Sequence, residues 1–347
     1  MTTIPSIQRA IIADSNGSLT LSNNAPVPAL QGDMILVKTA AVALNPVDAK
    51  MTGKRATPGA VSGFDFAGVV VALGVKESNS RFKIGDRVCG AVTGQNPLDL
   101  TEGSFAEYIG ARVHATLKIP DHMSFEDAAT LGVGIGTVGL ALFRSLNPAP
   151  RATVLVHGAS SATGTLAIQI LRHFGHIPIG TCSPRNFDLV QSRGAENVFD
   201  YNIDNCAADI KIYTKNSLRY VLDCVSNPDS LTFCHSCIGR RGGFYTALEP
   251  YPEALHTRQT VKADWVLQLE VLGKKIGWPQ PFAREVSTET KEWAESWFQT
   301  VQGLLDAGKL QVHPVKVMPG GFDRILEGLD LVREKKVSGQ KLVYTIP

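Results

Sequence analysis

Short apolar runs bounded by Gly, Asn, Asp and Pro dominate the first third of the chain. They include Met34-Ile-Leu-Val-Lys-Thr-Ala-Ala-Val-Ala43, Ala67-Gly-Val-Val-Val-Ala-Leu73 and Arg87-Val-Cys-Gly-Ala-Val92, the last fed by a Gly85-Asp86 turn. Runs of this length with this punctuation predict strands. The pattern changes at Ser124, where a hydroxyl precedes Phe125-Glu-Asp-Ala-Ala-Thr-Leu131 and places an N-cap and first-turn acids at a helix start. After Pro148 and Pro150, strands alternate with helices. Strands are expected at Thr153–His157, Ile177–Cys182, near Asp200-Tyr201, at Tyr220–Val225 and at Gly243–Leu248, with helices over Leu166–Phe174, Phe187–Arg193 and Ser230–Ile238. Such alternation predicts an α/β fold with a parallel, doubly wound sheet. A helix over Glu289–Ala307, stopped by Gly308-Lys309, a helix over Phe322–Glu334 and a strand at Lys341–Ile346 complete the pattern. The expected organisation is a nucleotide-binding middle, residues 144–279, inserted in a β-rich domain built from 1–143 and 280–347.

Composition narrows the classes. Of 347 residues, 44% are hydrophobic and 19% charged, as in an ordinary globular protein with a well-filled core. The 34 basic and 32 acidic residues leave +2, with no run of like charge to steer the chain onto nucleic acid or an anionic membrane. Met1 to Ala13 lacks the pattern of a secretory leader, and no apolar run is read as approaching the roughly 20 residues of a membrane span. The expected location is cytoplasmic. Six cysteines do not suggest a disulfide framework, and Cys234-His-Ser-Cys237 has no second pair nearby to complete a zinc site, so a helix with two half-buried thiols is expected.

The segment Val154-Leu-Val-His-Gly158-Ala-Ser160-Ser161-Ala162-Thr163-Gly164-Thr165 joins the first strand of this series to a helix. A dinucleotide pyrophosphate needs close backbone approach and helix N-terminal amides, and Ser160, Ser161 and Thr163 add hydroxyls. Only Gly158 and Gly164 remain of a full glycine fingerprint, so the βαβ context carries the assignment. An NAD enzyme places Asp or Glu after the second strand to hold the ribose 2′-hydroxyl. Here Cys182-Ser183-Pro184-Arg185-Asn186 offers a hydroxyl and a guanidinium, which suit a 2′-phosphate. The expected cofactor is NADPH.

A catalytic zinc needs about three Cys, His or acid ligands. The loop after the Met34 strand reads Asn45-Pro46-Val47-Asp48-Ala49-Lys50, and Gly63-Phe-Asp-Phe-Ala-Gly68 has no His-Glu pair, so no metal is expected. These two segments, with Gly85-Asp-Arg-Val88 and the Ala128–Leu142 helix, resemble the zinc-independent quinone oxidoreductases and enoyl reductases of the medium-chain dehydrogenase/reductase superfamily. A narrower set is similar to the fungal trans-acting enoyl reductases of polyketide biosynthesis, the lovastatin-pathway type. It comprises Lys50, Thr181–Leu189, Arg193-Gly-Ala-Glu196, Phe199-Asp-Tyr201, Tyr213-Thr-Lys-Asn216, Leu218-Arg-Tyr220, Leu222-Asp-Cys224 and Ser338-Gly-Gln-Lys-Leu342.

That resemblance implies a Rossmann-type sheet with a GroES-like catalytic domain. It also implies reduction of an α,β-unsaturated acyl thioester carried by the acyl carrier protein of a polyketide synthase, alone or fused to a peptide synthetase, whose own enoyl reductase is defective. A monomer is implied. Val47, Asp48, Ala49, Lys50, Ser160, Ser161, Ala162, Thr163, Ser183, Pro184, Arg185, Asn186, Tyr201, Leu248, Glu249, Ser338 and Gly339 would line the cofactor. Val138, Gly139, Leu140, Ala141, Leu142, Phe143, Arg144 and Ser145, with Gly273, Lys274, Lys275, Ile276 and Gly277, would lie along the acyl channel. Lys50 is the candidate for the cofactor ribose or a proton relay, and Thr137 for the nicotinamide amide or substrate carbonyl. No tyrosine stands between Asn45 and Gly68, so the proton donor stays open, water included. A stand-alone NADPH quinone or enone reductase and a catalytically silent nucleotide-binding protein are the alternatives.

Overall fold

The structure, a computed structural model, describes residues 4–75 and 81–347; Met1 to Thr3, the head of the stretch read for a leader, lie outside it. Two compact units divide the chain: Met1–Val133 with Leu269–Pro347, and Gly134–Gln268. Both crossings fall earlier in sequence than the expected 143/144 and 279/280. Gly134–Leu146 packs under the parallel sheet, while residues after 268 bond to the β-rich unit. Examples are His114 Nε2 with the Val271 carbonyl at 2.9 Å, and Trp278 Nε1 donating to the Gln95 carbonyl at 3.0 Å.

The β-rich unit begins with an antiparallel hairpin, β1 (Ile7–Ala13) and β2 (Leu19–Pro26), which the polar-rich second strand hides from a pattern search. β3 (Met34–Ala43) has the expected limits and leads through Asn45 into a one-turn helix, α1 (Pro46–Lys50). β4 (Asp65–Leu73), β5 (Arg87–Ala91), β6 (Tyr108–Arg112) and β7 (Thr116–Lys118) follow. At α2 (Phe125–Ala128) the Ser124 hydroxyl accepts from Asp127 N at 3.0 Å, the cap its sequence predicts. α3 (Gly132–Gly139) continues into a wider π-type turn over Leu140–Leu146 that ends on left-handed Asn147. Taken together, the 22 residues of Phe125–Leu146 include an 18-residue stretch of mean hydropathy 1.5, long and apolar enough to cross a bilayer, which corrects the sequence reading. Most of this stretch is buried inside the protein. Its glycines permit that: a Cβ on Gly132 would stand 2.1 Å from the Gly90 carbonyl oxygen.

The nucleotide unit holds β8 (Thr153–His157), α4 (Ala162–His173), β9 (Ile177–Cys182), α5 (Phe187–Ser192), β10 (Asn197–Asp200), α6 (Cys206–Tyr213), β11 (Tyr220–Asp223), α7 (Pro228–Cys237), β12 (Gly243–Ala247) and β13 (Val261–Trp265). Every strand pairing is parallel and the order is β10-β9-β8-β11-β12-β13. This is the doubly wound arrangement with its switch point between β8 and β11, where ligands bind beyond the strands' C-terminal ends. Cys234 and Cys237 sit on α7 fully buried rather than half-buried, and burial pushes both thiols up, Cys237 to about 12.

The chain then returns to the β-rich unit with α8 (Thr288–Asp306), capped by Ser287, β14 (Val315–Met318), α9 (Ile325–Arg333) and β15 (Lys341–Thr345). The expected helix over Phe322–Glu334 starts as a separate 3₁₀ turn, Gly321–Arg324, after left-handed Gly320. β14-β15-β3-β4-β5-β7 form one sheet, with β6 paired to β3. Its core packs Phe322, Ile325 and Leu329 against Val42, Phe105 and Tyr344.

Candidate active site

In the nucleotide unit, β8 ends at His157 and the chain turns at Gly158, whose φ of +72° and close neighbour Val225 leave no room for a side chain. Gly164 lets α4 approach the turn: a Cβ there would lie 2.5 Å from the Gly158 carbonyl oxygen. The Ser161 hydroxyl accepts from Gly164 N at 3.0 Å, so its oxygen is engaged as the helix cap. Capping starts α4 at Ala162, four residues before the expected Leu166. Ser160, Ala162 and Thr163 stay partly exposed at the head of the twelve-residue α4, where amides and dipole favour an anion. His157 is buried, with Nδ1 at 2.7 Å from Thr181 Oγ1, and burial holds its pKa below the usual histidine value.

The second recognition segment follows β9. Ser183-Pro184-Arg185-Asn186 makes a 3₁₀ turn in which Pro184 and Arg185 are exposed. Asn186 Nδ2 donates to Ser160 Oγ at 3.2 Å, and Ser183 Oγ lies 3.1 Å from Tyr201 OH. Four residues expected at the cofactor are thereby joined across three loops. No acid lies in this turn. The residues fit a phosphorylated dinucleotide: glycine-tight backbone and a helix N-terminus for the pyrophosphate, then a guanidinium and hydroxyls where the 2′-position is read.

Sequence reasoning passed over the organiser of the adjacent loop. Asp223, fully buried at the end of β11, accepts from Val225 N and Ser226 N at 2.9 Å each, from Ser230 Oγ at 2.6 Å and from Tyr245 OH at 2.8 Å. Burial and this carboxylate push the Tyr245 phenol up. Ser226, left-handed at φ 55°, accepts from Leu248 N at 2.8 Å. Asp223 therefore shapes the segment touching Gly158 and fixes the Leu248-Glu249 turn.

In the β-rich unit, four sequence segments converge on one buried cluster. Lys341 Nζ donates to Asp65 Oδ2 at 2.5 Å, Asn45 Oδ1 at 3.0 Å and the Thr130 carbonyl at 3.3 Å. Asn45 Nδ2 donates to Asp65 Oδ2 at 2.9 Å, and Asp65 Oδ1 accepts from Val133 N at 2.6 Å in the first turn of α3. Neither Lys341 nor Asp65 was singled out from sequence, although both stand in the resemblance segments. A charged pair inside an apolar run is the signal that would have found them. Asp48, expected at the cofactor, lies inside the loop. It is fully buried, accepts from Asn45 N at 2.6 Å through Oδ2, leaves Oδ1 unpartnered, and is pushed up to about 8 by desolvation. Ala49 is buried too, whereas Val47 is partly exposed and Lys50 exposed. Ser338 is exposed and Gly339 left-handed just before β15.

The segments expected along an acyl channel are divided. Val138, Leu140, Ala141 and Leu142 are core residues, and Gly139 is buried with them. Thr137, in the same helix, is 7% exposed. Phe143 meets Phe174 in a tilted contact with ring centroids 4.8 Å apart, Arg144 is exposed, and Ser145 Oγ meets Thr246 Oγ1 at 2.7 Å and Asp264 Oδ2 at 2.8 Å. In the β-rich unit, Gly273 is left-handed, Lys274 is ion-paired with Glu102, Lys275 with Glu285 at 2.7 Å, Ile276 is buried, and Gly277 packs on Leu98. Among the described residues, no three His, Cys, Asp or Glu side chains gather to hold a metal ion.

Residues 31–121 match the alcohol dehydrogenase GroES-like domain family, and residues 162–247 the family described as zinc-binding dehydrogenase. The trans-enoyl reductase FSL5 of Gibberella zeae is 55% identical over 100% of this chain and 99% of its own. The trans-enoyl reductase eqxC of Fusarium heterosporum is 49% identical over 98% and 99%. Among solved structures, the CurK enoyl reductase has a TM-score of 0.78 at 19% identity, covering 98% of this chain and 99% of that one. A quinone oxidoreductase of Pseudomonas syringae has 0.76 at 21%, covering 98% and 100%. These two likenesses establish the fold.

Proposed function

We propose that this chain, which belongs to the trans-enoyl reductase family, uses NADPH to reduce the α,β double bond of a polyketide acyl thioester presented by a partner synthase. The thioester rides on the synthase's acyl carrier protein, and the synthase, alone or fused to a peptide synthetase, lacks a working enoyl reductase of its own. In this reading the enzyme is a cytoplasmic monomer that docks on its partner. The carrying observation is the match to curated trans-enoyl reductases along the full chain, joined to a phosphate loop bonded to an exposed arginine turn.

NADPH supplies the hydride when bound. The head of α4 with Ser160 and Thr163 holds the pyrophosphate, while Arg185, Ser183 and Tyr201 read the phosphorylated ribose. Leu248-Glu249, set by Asp223 through Ser226, and Ser338-Gly339 complete the cofactor surface in this assignment. Hydride addition at the β-carbon puts negative charge on the thioester oxygen, which a hydroxyl donor such as Thr137 stabilises. The α-carbon then needs a proton, and Lys50 is assigned to relay it or to hold the ribose. Val47, Asp48 and Ala49 stay in the proposed cofactor loop, with the Asp48 carboxyl holding that loop through Asn45 N. Phe143, Arg144, Ser145 and the Gly273–Gly277 segment remain the proposed acyl contacts, with Val138–Leu142 as their support.

A three-way assay tests the reading. NADPH oxidation is followed with a crotonyl thioester on a carrier domain, the same thioester on pantetheine, and a simple quinone. The carrier-bound form is expected to give the highest kcat/KM, by about tenfold or more (~1.4 kcal/mol) over the pantetheine form. Fastest turnover of the quinone rejects it.

A further inference from the structure

Beyond the cofactor end of the parallel sheet, the opposite end gathers charge that the sequence scatters. The segments leading into β8, β11, β12 and β13 carry Arg151, Lys215 with Arg219, Arg240 with Arg241, and Lys262, all exposed. Their nearness is fixed by backbone contacts. A Cβ on Gly239 would lie 2.3 Å from the Asn216 carbonyl oxygen, one on Gly242 2.0 Å from that of Thr260, and one on Gly243 2.0 Å from that of Arg219. Ala149 N donates to Tyr220 OH at 3.2 Å, drawing in the Arg151 loop. Residues 147–152, 214–219, 239–242 and 258–262 contain no acid, and none of the six cations has a carboxylate partner among the described residues.

An aromatic pair lies among the charges. Tyr220 and Phe244 stack at 5.4 Å and 6°, with the Arg219 guanidinium and Lys262 Nζ each 5.8 Å from the Phe244 ring centroid. A seventh cation, half-buried Arg258, is occupied as a fastener. It donates to the carbonyls of His235, Ile238 and Gly239 at 2.7, 2.9 and 2.9 Å, anchoring the β13 approach to the end of α7. The surface therefore stands on fixed strand starts rather than on loose loops.

We infer that this basic, aromatic strand-start face is a docking surface for an acidic patch on the partner synthase, separate from the cofactor end of the sheet. The inference rests on the proposed function for the identity of the partner. Charge selects the occupant: the chain carries a formal +2, so setting these six cations aside leaves −4 on everything else. A compact acidic protein surface matches a positive face inside a negative surround, whereas an extended polyanion meets repulsion beyond the face. Arginines, five of the seven with Arg258 included, present planar forks that suit carboxylates. Docking at the end remote from the phosphate loop leaves the strand C-termini clear for cofactor and substrate.

The test combines Arg240→Glu, Arg241→Glu and Lys262→Glu in the full chain. Binding is measured against an intact fungal polyketide synthase that lacks a working enoyl reductase domain and that the wild-type chain complements. Affinity is expected to fall at least tenfold with a weaker dependence on salt, while turnover of crotonyl pantetheine stays within twofold. A milder Arg240→Gln, Arg241→Gln variant should show a smaller loss in the same direction, and serves if the reversed chain misfolds. Unchanged affinity in the folded variants overturns the surface. So does an effect confined to duplex DNA or to anionic phosphatidylserine vesicles. Failure of the wild-type chain to reduce any enoyl thioester is a different result, and would sink the proposed function instead.

Discussion

Asp65 and Asp223 are both fully buried carboxylates, one opening β4 in the β-rich unit and the other closing β11 in the nucleotide unit, yet they are held by different means. Asp65 is neutralised by a buried ammonium, with an amide and one backbone N–H completing its shell. Asp223 has no cation among its hydrogen-bond partners and is satisfied by two backbone N–H groups and two hydroxyls. The first arrangement ties distant chain segments into one knot; the second shapes a single loop beside the Gly158 turn. Charge compensation here serves assembly of a unit, and hydrogen bonding serves the fine geometry of a site.

The largest expected effect comes from cutting the charge pair. Lys341→Met leaves the Asp65 carboxylate buried without its cation, and a loss of about 3–5 kcal/mol is expected in denaturant unfolding. A loss under about 1 kcal/mol would show that water reaches the cluster and that the contrast is overdrawn. Next is Asp48, whose unpartnered oxygen belongs to the same knot. Its pKa in the folded chain, about 8, stands above its ordinary value of 3.8, so the native state holds a proton that the unfolded chain releases. The associated stability is whole below pH ~4 and is lost as pH rises through ~8. Asp48→Asn should flatten that slope and gain ~2–3 kcal/mol at the alkaline end, part of the full shift being relaxed by water. Parallel unfolding curves of the two proteins across this range would discard the protonated-acid assignment.

Asp223→Asn should cost less, ~1–3 kcal/mol, because the amide oxygen still accepts from one set of donors. Its distinguishing mark is weaker NADPH binding through the loosened Ser226–Leu248 link; a drop in melting temperature with unaltered cofactor affinity would reduce Asp223 to a purely structural role. Arg185→Ala, in an exposed turn, should leave stability unchanged within ~0.5 kcal/mol. It should raise the NADPH dissociation constant about tenfold (~1.4 kcal/mol) with little change for NADH. Equal weakening of both cofactors in titration calorimetry would remove the 2′-phosphate argument.

Much of the fold was legible because its signals are local. The Met34–Ala43 run is one continuous strand, and Ser124 caps the helix it announces. From Thr153 onward the first five parallel strands were legible, since strands buried on both faces are short unbroken apolar runs, while the helix Cys206–Tyr213 was missed. β13 escaped notice because Val-Lys-Ala-Asp-Trp is the alternating, half-polar sequence of a sheet edge. The glycine-rich Gly132–Gly139 segment gave no periodicity by which to assign it to either unit. Ser160, Ser183 and Asn186 were expected at the cofactor from motif context and Tyr201 from the family resemblance, and hydrogen bonds join Asn186 to Ser160 and Ser183 to Tyr201. That Asp48 turns its carboxyl inward to Asn45 N was not legible, because a carboxylate in a motif gives no sign of which way it faces.

From the linear chain alone came the alternation of strands and helices after Thr153, the expected phosphate loop, an arginine where a ribose-binding acid would stand and the family resemblance. Each of these is encoded within a few consecutive residues, where backbone preference and side-chain chemistry act directly. Folding alone brought Lys341 to Asp65 across 276 positions and collected six cations from four strand starts onto one face. Charge–charge and burial energies depend on distance through space, and no local pattern records which remote segments will share an interior or a surface.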